Sequence, residues 1–282
     1  MVASTAASLG LPAVFLKGAA FHLAELGRPG GRPSGDVDVL APRDRAEELA
    51  RELERLGWRS AGPSASAFHL PALFSPAGVP VEIHVEIPGV ERPGEDGPLT
   101  AESLLAGGLV ETAGRSGNAL VPVAGVLAAH AMAHGLADHG FAPDAYPPWR
   151  WVGDVIDALG RDKGRPAAPD RERVAVPAAL SPVEALGALE LANRMARADL
   201  SVLTEPGSAG TLARHLLAGA LDPAYGKALR LRQILWMARA RPPRELARKV
   251  MLRWEGFGTG LATLAGLVRA EAQVRLRAIR KK

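Results

Sequence analysis

The chain has 282 residues, 48% of them hydrophobic and 23% charged, enough apolar content for a buried core in one large or two modest domains. It has no cysteine, which excludes a disulfide framework, thiolate metal sites and a cysteine nucleophile. The net charge of +4 is unevenly spread. Lys227 to Lys282 holds 15 Lys and Arg against only Glu245, Glu255 and Glu271, a basic tail on an acidic body.

Met1 to Leu16 is Ala-rich but has no basic n-region of a secretory signal. Val14-Phe15-Leu16 reads as a short strand ended by Lys17-Gly18, and Ala19 to Leu26 as a short helix closed by Gly27. Arg28 to Gly35 is a Gly/Pro loop. Asp36-Val37-Asp38-Val39-Leu40 alternates with period two and predicts a strand. An amphipathic helix over Arg45 to Leu56 comes next, stopped by Gly57. Phe68 to Phe74 is a weaker strand. Val79 to Ile87 is a stronger one, with Val81, Ile83, Val85 and Ile87 on one face and Glu82, His84 and Glu86 on the other. Pro88 to Pro98 reads as a loop or linker. From about Ala124 the pattern is helical, over 125–139, 148–159, 182–200, 209–220, 224–239, 243–254 and 259–280. The longest apolar run, Phe257 to Val268, is well short of the roughly 20 residues of a membrane span, so a cytoplasmic protein is expected.

Asp36 and Asp38 stand two apart on a strand, so both carboxylates project from one face. Like charges held that close repel unless a cation lies between them, and a hard divalent ion such as Mg2+, with Mn2+ as its substitute, meets that need. Glu82 on a neighbouring strand would complete a carboxylate triad, with Glu86 as its substitute if the register differs. His84 shares the Glu82 face and either contacts substrate or is bonded to a neighbouring carboxylate. His130 and His134 lie on one helical face, but His-Glu-x-x-His is absent and zinc is disfavoured. Trp151 and Asp154 share a face of the next helix, as a packing anchor or a substrate contact. Neither a nucleophile elbow nor a P-loop occurs.

Phe15-Leu16-Lys17-Gly18-Ala19, Arg32 four residues before Asp36-Val37-Asp38-Val39-Leu40, and Val81-Glu82-Ile83-His84 together resemble the uncharacterised nucleotidyltransferase family of the polymerase-beta superfamily. His130, His134 and Trp151-Val152-Gly153-Asp154 fit its later motifs. The resemblance spans about residues 10–160. It implies an α+β fold, an N-terminal nucleotidyltransferase-type mixed sheet with flanking helices and a helical domain that closes the cleft. The chain pattern sets these at 1–118 and 119–282, and the basic C-terminal helices, after about residue 180, fall outside the resemblance. The resemblance also implies transfer of an NMP group from an NTP, such as ATP, to an acceptor, with release of pyrophosphate. By carry-over Asp36, Asp38 and Glu82 are catalytic and hold the metal. Lys17, Gly18, Arg32 and Ser34 meet the nucleotide, with the N-terminus of the helix after Gly18 favouring phosphate. His84, His134 and Asp154 are candidate substrate contacts. The superfamily's usual Gly-Ser turn is Lys17-Gly18-Ala19 here, so its phosphate-binding hydroxyl is missing, and Lys17 and Arg32 are the replacements.

The acceptor stays open among a small hydroxylated metabolite, a peptide and RNA. Two rival readings are a non-catalytic nucleotide-binding module and a toxin-type enzyme that modifies RNA. The basic helices make nucleic acid a candidate partner, although they lack the aromatic interleaving of a single-strand platform.

Overall fold

The structure is a computed structural model that describes residues 1–24, 34–62, 68–92, 97–113, 119–138, 150–160, 182–197, 201, 207 and 209–214. The chain divides into two compact units, Met1–Ala131 with Asp154–Ala178, and Met132–Gly153 with Ala179–Lys282.

The first unit is built on a sheet. In chain order its elements are α1 (Val2–Ser8), β1 (Val14–Phe15), α2 (Lys17–Leu23), β2 (Val37–Leu40), α3 (Ala46–Arg55), β3 (Arg59–Ser60) and β4 (Leu73–Phe74). They continue with β5 (Pro80–His84), β6 (Ile87–Glu91), β7 (Pro98–Leu99), α4 (Ala101–Ala106), β8 (Val110–Ala113), β9 (Ala119–Pro122) and α5 (Ala124–Met132). Seven strands form a mixed sheet in the order β3-β4-β5-β2-β1-β9-β8. β2 runs parallel to β5, and β1 parallel to β9 but antiparallel to β2. The core lies along the central strands, where Val14, Leu16, Val39, Leu40 and Ile83 are fully buried beside Leu49 and Leu53 of α3. α3 presents Ala46, Leu49 and Leu53 inward, the i, i+3, i+7 stripe of an amphipathic helix, and Gly57 ends it with a φ of 89°, a left-handed conformation that favours glycine.

The mixed sheet with flanking helices agrees with the α+β expectation, and four local differences have physical causes. The Ala-rich N-terminus, whose sequence shows no strong period, is the helix α1. Val2, Thr5 and Ala6 are its buried face, and it packs on α3. α2 begins at Lys17 rather than Ala19. The strand expected over Val79 to Ile87 is broken at Val85–Glu86. The last rung runs from the Ala41 N–H to the His84 carbonyl at 2.9 Å, and Pro42, having no N–H, cannot extend the ladder. Pro88–Glu91, the start of the stretch expected to be a loop or linker, is strand. It belongs to β6, which pairs antiparallel with β7 in a two-stranded ribbon whose register shifts between Ile87 and Glu91, a place where Pro and Gly are tolerated.

The boundary drawn at 118 falls just before β9, a full member of the sheet next to β1. In the second unit a π-helical segment, Ala133–Asp138, comes after α5, and α7 covers Pro182–Ala196. α6, Arg150–Gly160, contributes residues to each unit. The helices expected over 224–239, 243–254 and 259–280, and Arg28 to Pro33 of the Gly/Pro loop, lie outside the described residues. Among the described residues no helix is long and apolar enough to cross a membrane.

Candidate active site

The register of two parallel strands brings the candidate carboxylates together. β2 and β5 pair Asp38 with Glu82 and Leu40 with His84. Because side chains alternate along a strand, Asp38, Glu82 and His84 share one face of the sheet, while Val37, Val39, Val81 and Ile83 are the intervening apolar positions. On the other side of β2, the antiparallel strand β1 ends with the Leu16 N–H donating to the Asp38 carbonyl at 2.9 Å. Lys17 is the next residue, which is why its side chain reaches the Asp38 carboxylate.

Asp38 is 1% exposed and His84 2%. Asp38 Oδ1 accepts hydrogen bonds from Lys17 Nζ at 2.9 Å and from His84 Nε2 at 2.8 Å. His84 Nε2 also lies 3.5 Å from Glu82 Oε2. Burial pushes the Asp38 carboxyl up, but the His84 hydrogen bond and the Lys17 charge outweigh it and hold the group well below the usual carboxylate range. The His84 hydrogen bond likewise lowers Glu82, against its partial burial. For His84, burial disfavours the imidazolium, yet the bonds to Asp38 and Glu82 prevail and raise its pKa above the ordinary value. The ring donates through Nε2. Among the described residues its Nδ1 is buried without a hydrogen-bond partner, an orphaned group whose cost the two carboxylate contacts must offset.

Three of the expected residues therefore converge, and others do not. One ligand atom from each of Asp38, Glu82 and His84 lies within 4.8 Å of the others. Asp36 sits one residue before β2, half-buried and outside this cluster. Ser34 is exposed and its hydroxyl donates to the Asp36 carbonyl at 2.8 Å. Gly18 is buried in α2, and Arg32 lies outside the described residues. His84 is a buried partner of the carboxylates, the second of the two roles open to it in the sequence. Glu86, the substitute carboxylate, instead accepts from Arg43 Nη2 at 2.6 Å. His130 and Asp154 are buried and His134 is half-buried in the π-helical segment, with His134 in one unit and Asp154 in the other.

Two features escaped the sequence reading. One is the Lys17–Asp38 ion pair, for which strand, Lys-Gly, helix was a signal without a stated partner. The other is His69, which bridges to His84 across the sheet and brings the two ring centroids to 5.3 Å. Its only trace in the sequence is a place in the weaker strand.

The donor set suits a divalent cation. Two carboxylates lie side by side, and Asp38 already supports positive charge from two sides. His84 Nε2, while it donates to them, is their partner, and it could ligate an ion only after giving up its proton. Hard cations take carboxylate oxygens, and nitrogen adds a ligand suited to Mn2+ and its transition-metal neighbours.

The chain belongs to the uncharacterised nucleotidyltransferase family, whose model matches residues 2–195. It is a nucleotidyltransferase. Two solved structures are similar. The crystal structure of ANT(2″)-Ia in complex with adenylyl-2″-tobramycin is 15% identical with a TM-score of 0.39, covering 58% of this chain and 86% of that one. The solution structure of the antibiotic-resistance factor ANT(2″)-Ia is 15% identical with a TM-score of 0.38, covering 72% and 91%. No curated protein matches the chain.

Proposed function

We propose that the protein transfers an NMP group from an NTP to an acceptor hydroxyl or amine, releasing pyrophosphate, at the site built on Asp38 and Glu82. The observation that carries this reading is the in-register pairing of these carboxylates on adjacent parallel strands, in a chain of nucleotidyltransferase family. Asp38 and Glu82 hold Mg2+ or Mn2+, joined by Asp36 from the start of β2. The bound ion supplies charge neutralisation at the phosphate and in-line alignment of the attacking and leaving oxygens. Glu82, the more exposed of the two carboxylates, accepts the proton of the acceptor group as it attacks. His84 fixes the orientation of Asp38 and Glu82 from the buried side. Lys17, Gly18, Arg32 and Ser34 meet the triphosphate. The acceptor class is a small hydroxylated metabolite, a peptide or the 3′ end of an RNA.

Calorimetric titration with each of the four NTPs, with and without Mg2+, tests the reading without needing the acceptor. The expected result is metal-dependent binding that Asp38→Asn abolishes and Asp36→Asn weakens. Binding indifferent to both metal and Asp38 would overturn it.

A further inference from the structure

We propose that Lys17 is a tethered cation that holds Asp38 in the nucleotide-free protein and competes there with the divalent ion, so that loading the site releases its ammonium for the triphosphate. The inference rests on the reading that Asp38 is a metal ligand, and adds to it an exchange of one cation for another.

The geometry makes the two cations alternatives. Lys17 Nζ lies 2.9 Å from Asp38 Oδ1, and a metal bound to that oxygen would lie about 2.1 Å from it. Whatever the direction of approach, the two like charges would then be no more than about 5 Å apart. Each cation then weakens the other's hold on the carboxylate, and Lys17 is the one built to move. Its side chain is 20% exposed, against 1% for Asp38 and 3% for His84, so Lys17 has a way to solvent that its neighbours lack. A lysine is also a point charge on a flexible four-carbon stem that can be redirected without rebuilding the site.

The backbone adds an independent observation. Lys17 has a φ of 45° and is the one non-glycine residue with positive φ among the described residues. A side-chain-bearing residue holds that conformation only when its surroundings over-determine it. Here the ion pair to Asp38 is one such contact, and it is the one that a competing cation removes. Leu16 stays locked to β2 through its N–H, so the change is confined to Lys17 and the first turn of α2.

The test is a titration with Mn2+ alone, the free ion read by electron paramagnetic resonance, in the absence of nucleotide. Lys17→Met is expected to bind Mn2+ at least about tenfold more tightly than the wild type, roughly 1.4 kcal/mol. Equal affinity, with binding lost in Asp38→Asn, overturns the role of Lys17 and leaves the metal site standing. Binding in neither protein, or undiminished in Asp38→Asn, overturns the metal site and this proposal with it. If Lys17→Met does not fold, the wild type decides. Reductive methylation of Lys17, read by peptide mass spectrometry, should accelerate several-fold on addition of Mg2+. A rate that ignores Mg2+ overturns the proposal.

Discussion

At the scale of single residues, a buried carboxylate survives as an anion because two cationic donors meet it on one oxygen. Asp38, lowered in the folded chain, contributes stability that is present above the unfolded carboxylate value of about 3.9 and is lost as acid protonates the group. His84 behaves in the opposite sense. Its raised pKa contributes stability that is fully present below the unfolded value of about 6.5 and is lost as pH rises through the folded one. Urea unfolding in the presence of chelator should therefore show stability declining as pH rises above about 6.5. In His84→Gln this decline should vanish, on top of a loss of about 1–3 kcal/mol from the orphaned Asp38 contact. A profile in which wild type and His84→Gln run parallel through that range would show that the imidazolium is not the titrating partner.

At the scale of elements, the π-helical segment after α5 meets α6 through a close approach that allows no side chain. A Cβ on Gly135 would lie 2.5 Å from Trp151 Cβ and 2.6 Å from its ring, and Trp151 is buried, its indole N–H unpaired among the described residues. Gly135→Ala forces the indole aside and should cost about 1–3 kcal/mol, the usual effect of overpacking, read as a lowered urea midpoint. An unchanged midpoint would mean that the segment shifts freely. Elements with a strong period were visible from sequence alone. The alternation from Val37 to Leu40 and the stripe of Leu49 and Leu53 each lie where the pattern puts them, because burial on one face is what produces such a pattern. The seven-residue α1 was not visible, since seven mostly small residues carry little amphipathic contrast. The break after His84 was hidden for another reason. Apolar alternation continues through Val85 and Ile87, and what ends the strand is Pro42 on its neighbour, a partner that local sequence does not name. Among the candidate site residues, type, spacing and the family resemblance named Asp36, Asp38 and Glu82, of which the structure brings Asp38 and Glu82 together and leaves Asp36 outside the cluster. The pairing of Lys17 with Asp38 required knowing that β1 lies against β2.

At the scale of the molecule, site and core are the same piece of sheet. Asp38 is followed along β2 by the fully buried Val39 and Leu40, and Glu82 is followed along β5 by the fully buried Ile83. A ligand of this site therefore binds the folded unit and not the unfolded chain, and binding converts directly into global stability. At a hundredfold excess over its dissociation constant the gain is about 2.7 kcal/mol. Mg2+ with the preferred NTP should raise Tm by several degrees, chelator should remove the rise, and Asp38→Asn should lack it. A Tm shift retained in Asp38→Asn would place the nucleotide elsewhere on the chain.

The pairing of β2 with β5 has one more consequence. Val37 faces Val81 and Val39 faces Ile83 across the ladder, with Asp38 and Glu82 between them. A chain that closed this ladder one position out of step would set an aliphatic side chain opposite Asp38 and turn its partner carboxylate to the other side of the sheet. Such a molecule would be less stable and would lack the Asp38–Glu82 pair on which the proposed transfer depends. On the proposed reading, register and site assembly are therefore one event: only a correctly threaded sheet sets Glu82 beside Asp38.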